Sequence, residues 1–99
     1  MLLIRDIMYC KPGKVRPLVE KFTAMAKLGE KKGWGKMRIM TDLSAERFWT
    51  LVSEFEVESM DAFMSMGQDA DSMKEMEELT KGYHELVDQG RREIYNIEY

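Results

Sequence analysis

Lys11-Pro12-Gly13-Lys14-Val15 divides an apolar run from an amphipathic one. Before it, residues 2–9 are rich in Leu, Ile and Met and read as a strand. Pro12-Gly13 is a turn signal, and Pro17 fits only the first turn of a following helix. Across that helix Val15, Leu18, Val19, Phe22, Met25 and Ala26 recur at the i, i+3, i+4 spacing of one buried face. Gly29 lies on the same stripe, where a missing side chain permits close approach to a sheet. Gly33 and Gly35 flank Trp34 and stop the helix.

A second junction of the same kind is Glu56-Val57-Glu58-Ser59-Met60-Asp61-Ala62-Phe63. It ends a strand predicted over 47–57, whose Phe48, Trp49, Thr50, Val52, Phe55 and Val57 suit a pleated surface. Ser59 then caps a short helix ending near Gly67. Between the junctions lie a strand over 36–41 and a hairpin loop over 42–46. Beyond them, Ser72 with Glu75 three residues later reads as a capping box. The stripe Met73, Met76, Leu79, Tyr83, Leu86 and Val87 predicts a helix running to Gly90, and residues 92–99 a last strand. The order βαββαβ predicts a single domain over 1–99. It is an α+β, ferredoxin-like fold with a four-stranded antiparallel sheet covered on one face by helices.

Composition narrows the function classes. The 99 residues carry 44% hydrophobic and 33% charged residues, as ordinary globular domains do. A formal net charge of −3 argues against a nucleic-acid surface, which needs a basic patch. Cys10 is the one cysteine, so neither a disulfide within the chain nor a thiolate metal cluster is expected. Arg5 and Asp6 interrupt the apolar N-terminus too early for a signal peptide or a spanning helix. No membrane partner is expected, and the cytoplasm is the expected location. Without a phosphate-binding glycine loop or nucleophile elbow, no cofactor and no metal is expected.

Neither parity of the strands is cleanly polar. Leu2, Ile4 and Met8 stand on one face of the first strand, Leu3, Ile7 and Tyr9 on the other; the strand over 47–57 divides in the same way. Apolar residues on both faces of a sheet leave a patch that monomers rarely expose. The simplest cover is a second copy of the same sheet, which predicts a homodimer packed sheet to sheet.

The chain resembles the dimeric α+β barrel superfamily, which includes antibiotic-biosynthesis-type monooxygenases, NIPSNAP-like proteins and haem-degrading monooxygenases. Lys11 to Val15 looks like the Lys-Pro-Gly-Lys junction common after their first strand. Glu56 to Phe63 looks like their Glu-Trp-Glu-Ser-x-x-Ala-Phe, with Val57 in place of the aromatic residue. The resemblance implies a homodimeric barrel and, among many chemistries, a cofactor-independent oxidation of an aromatic substrate. The Asn, Trp and His of the haem degraders align with Asp6, a position near Met66, and a position near Met76 or Glu77. None of the three is retained.

Candidate site residues follow from strand parity. Asp6, Arg38, Glu54 and Asn96 are expected on the face opposite the helices, alongside Trp34, Phe48 and Thr50. In the dimeric barrel that face lines a lumen. Apolar walls with a few polar groups suit a small apolar or aromatic ligand. A slip of one residue would exchange Asp6 for Arg5 and Tyr9. As an enzyme, the protein would use Asp6 or His84, its one histidine, as base and Arg38 to stabilise an anion. Met66 and Tyr83 complete the expected binding set. The alternatives are a non-catalytic dimeric binding or stress-associated module and, further off, a haem-binding protein.

Overall fold

The computed structural model describes residues 1–99. It runs β1 (Leu2–Cys10), α1 (Val15–Lys31), β2 (Met37–Thr41), β3 (Thr50–Val57), α2 (Met60–Ser65), α3 (Ala70–Leu79) and β4 (Val87–Asn96). A 3₁₀ turn, Tyr83–Glu85, precedes β4. Every strand pair is antiparallel, in the order β2-β3-β1-β4. This is the α+β, ferredoxin-like arrangement that the βαββαβ order predicts.

The apolar stripe of α1 meets the sheet as its spacing dictates. Leu18 and Phe22 are buried against Leu51 and Cys10, with Met8, Met37 and Ile39 packed around them. That contact decides which face of the sheet is which, because side chains alternate along a strand. Leu2, Ile4, Asp6 and Met8 of β1 share the helix side with Val57, Phe55, Ser53 and Leu51, their partners on β3. Arg5, Ile7 and Tyr9 share the open side with Glu54, Val52 and Thr50. The structure therefore corrects the parity expected for Asp6 and Asn96. Asp6 shares the parity of Ile4 and Met8, which the helices cover, and Asn96 follows Leu2, its partner across β1 and β4. Arg5 and Tyr9 occupy the open face in Asp6's stead.

Several boundaries also differ from expectation: β4 runs over Val87–Asn96 and not 92–99, because it pairs with the whole length of β1, and the others have local reasons. α3 ends at Leu79, not at Gly90, because Gly82 takes a left-handed φ of 83°. Tyr83 in the 3₁₀ turn, Leu86 just after it and Val87 at the start of β4 still pack against the core. The start of α3 is also earlier, since Asp69 Oδ2 accepts from the Ser72 backbone N–H at 3.0 Å. β3 begins at Thr50, three residues late, because Trp49 has a φ of 62° that no strand continues. Asp42 Oδ1 closes the longer loop by accepting from the Thr50 N–H at 2.8 Å. The cap expected at Ser59 is present, its hydroxyl accepting from the Ala62 N–H at 3.1 Å.

Candidate functional site

A cavity of about 490 Å³ lies between the sheet and the helices. α1 contributes Phe22 and Met25, β2 contributes Met37, and α2 contributes Phe63 and Met64. Trp34 closes one side, held by two glycines. A Cβ at Gly67 would stand 3.3 Å from its Cη2, and one at Gly29 would stand 3.5 Å from its Cε3. These positions explain why the α1 stripe continues into a glycine. The walls are mostly apolar and the floor is not.

That floor belongs to β1, β3 and β4. Asp6 lies between Ser53 and Arg92, its partners on the neighbouring strands. Arg92 donates to Asp6 through both Nε, at 2.6 Å, and Nη2, at 3.2 Å. The Asp6 side chain is 13% exposed and that of Arg92 50%, so the carboxylate of this two-point pair is sheltered while the guanidinium stays within reach of water. The hydrogen bond from Arg92 to Asp6 raises the guanidinium's pKa further. Arg92 also lies over the Phe63 ring, 5.0 Å from its centroid. Tyr83 completes the floor, donating its hydroxyl to Met8 Sδ at 2.9 Å. Burial, and then the charge of Asp6, push the Tyr83 phenol above its ordinary value.

The expected site residues divide between the two sheet faces. Asp6, Trp34, Met66 and Tyr83 line the cavity. Arg38, Glu54 and Thr50 stand on the open face, and Glu54 and Thr50 line a shallower depression there with Arg5 and Tyr9. Phe48 lies in the loop before β3 and is 82% exposed. Asn96 is the exposed last residue of β4. His84 is exposed on the 3₁₀ turn, edge-on to Tyr83 with ring centroids 5.4 Å apart, and does not line the cavity. Asp6, Arg38 and His84 are thus not brought together. The sequence reading missed most of the apolar wall and, on the floor, the polar residues Ser53 and Arg92. Ser53 and Arg92 flank Asp6 directly, so assigning the face that Asp6 shares with Ile4 and Met8 to the helix side would have led to them.

On the open face Glu54 is buried beneath two arginines. Arg5 Nε and Arg38 Nη2 each donate to one of its oxygens at 2.6 Å. Burial pushes its pKa up, but the hydrogen bonds and charges of the two guanidiniums outweigh that and hold it below the usual glutamate range. No group of three or more His, Cys, Asp or Glu side chains is placed to hold a metal ion. No helix is long and apolar enough to cross a membrane.

No protein-family model and no curated protein matches the chain. Solved structures do. A NIPSNAP-like domain protein from Burkholderia xenovorans superposes with a TM-score of 0.76 at 13% identity, over 99% of this chain and 86% of that one. A candidate antibiotic biosynthesis monooxygenase from Nitrosomonas europaea gives 0.73 at 13% identity, over 100% of both chains. A NIPSNAP family protein from Agrobacterium tumefaciens gives 0.68 at 10% identity, over 96% and 90%. The chain therefore shares the fold of the superfamily that its two junctions resemble.

Proposed function

We propose that the protein binds a small, largely apolar molecule in the cavity between the sheet and the helices, as a member of the monooxygenase-like and NIPSNAP-like superfamily. One observation carries this reading: an apolar chamber of about 490 Å³ whose floor presents the Asp6–Arg92 pair. A volume of that size accommodates a small organic ligand, and a few polar groups at one end orient it. The test is a thermal-shift screen with flat aromatic compounds, repeated on Ala26→Trp, which fills the cavity from α1. Stabilisation of the parent chain that the variant loses supports the reading. No stabilisation by any compound sinks it.

In its catalytic form this reading gives Asp6 the role of base, as the one carboxylate lining the cavity. Arg92 takes the part first assigned to Arg38, stabilising the anion formed when a bound aromatic loses a proton before oxidation by dioxygen. The cavity exists within one chain, so binding does not require a barrel lumen. The sheet-to-sheet homodimer remains part of the proposal. Half-buried Val52 and exposed Met40 and Tyr95 on or beside the open face support it.

A further inference from the structure

Two hydroxyl groups at the floor of this cavity have hydrogen-bonding capacity that the protein does not use. Ser53 is 1% exposed, and its Oγ has no partner. Burying a hydroxyl unpaired opposes folding, and a serine whose neighbours along its own face of β3 are Leu51 and Phe55 could be alanine at no loss of packing. Tyr83, from the turn before β4, donates only to the thioether of Met8, a weak acceptor. Its oxygen retains its own acceptor capacity. Both residues line the same chamber as the Asp6–Arg92 pair.

We infer that Ser53 and Tyr83 form the recognition point for the ligand's polar group, and that the ligand is an uncharged apolar molecule carrying one hydroxyl or carbonyl. This rests on the cavity being a binding site. The charge assignment follows from Arg92, whose Nε and Nη2 are already engaged by Asp6. An incoming carboxylate would stand beside Asp6, the one carboxylate lining the chamber, and meet an Arg92 charge that Asp6 already pairs, whereas a neutral group meets no such repulsion. Access follows from the walls. Ser53 Oγ is covered, but Met8, Met25, Met37, Met64, Met66 and Met76 all line the chamber. Unbranched thioethers change rotamer readily, so a ligand can displace one and reach the hydroxyl.

The experiment compares naphthalene, 2-naphthol and 2-naphthoate by equilibrium dialysis against the parent chain, Ser53→Ala and Tyr83→Phe. Neither substitution alters the shape of the cavity, and the first removes a group with no partner, so folding is retained. In the parent chain 2-naphthol should bind about five- to tenfold more tightly than naphthalene, the value of one neutral hydrogen bond. The naphthoate should be the weakest of the three. Each variant should shrink the naphthol preference while leaving naphthalene unchanged. Equal binding of naphthol and naphthalene to the parent, or a preference that survives both substitutions, overturns the inference but leaves the cavity a binding site. Tighter binding of the naphthoate overturns its charge assignment. Absence of binding by all three overturns the cavity reading itself.

Discussion

Glu54 and Ser53 are chain neighbours that show opposite treatments of a buried polar group. Glu54 is satisfied twice over, by Arg5 and Arg38. Since its folded pKa lies below the unfolded value of about 4.3, its stabilisation is complete above that pH and is lost as pH falls through the lower folded value. Glu54→Gln should therefore flatten the acid limb of a pH–stability curve below pH ~4. At neutral pH it should cost about 1–2 kcal/mol in urea denaturation, less than a fully buried pair, because Arg38 remains mostly exposed to water. Ser53 is not satisfied at all. Ser53→Ala should raise stability by about 1 kcal/mol, a rise in Tm of roughly 4–6 °C for a domain of this size. A melting point unchanged or lowered in the alanine variant would mean that the hydroxyl has a partner after all.

At the scale of elements, the cavity depends on α2, a helix of only 6 residues that supplies Phe63 and Met64. So short a helix has little propensity to form alone and relies on its cap. Ser59→Ala should cost about 1 kcal/mol and, by loosening that wall, weaken ligand binding more than it lowers the melting point. Hydrogen exchange at the Ala62 and Phe63 amides would report the loosening directly. The order of elements was legible because turn and cap chemistry is local. Pro12-Gly13 and Ser59 act on their own neighbours, and the stripe of α1 repeats through seventeen residues. The end of α3 was not legible, since Tyr83, Leu86 and Val87 keep helical spacing past a glycine whose left-handed φ only the fold requires. Site residues suffered most. A strand whose two faces are both partly apolar does not announce which face the helices cover, and one step of parity moved Asp6 across the sheet.

The whole molecule is a slab of 35 × 35 × 18 Å with helices on one broad side and bare sheet on the other. A face of those dimensions is large enough for the ~800 Å² per partner of a standard interface. Its chemistry is mixed. Arg5, Glu54, Glu93 and Arg91 form an ion-pair chain across it, and Arg47 covers the Tyr9 ring at 4.3 Å. These arginines already shield Tyr9, which is 6% exposed. The area left for a second copy is therefore the flank of Met40 and Tyr95 together with the ion pairs, rather than a continuous apolar surface. An interface of that kind is expected to weaken with salt as well as with dilution. Sedimentation at micromolar concentration should show a species of twice 11.6 kDa, shifting toward 11.6 kDa on dilution or at high salt. Met40→Glu places a carboxylate on the exposed flank without touching the core. It should give the 11.6 kDa species under all conditions, with the cavity's ligand binding intact. A parent chain that sediments as a monomer at every concentration would remove the dimer and leave the binding site standing, because every residue that builds the cavity comes from one chain.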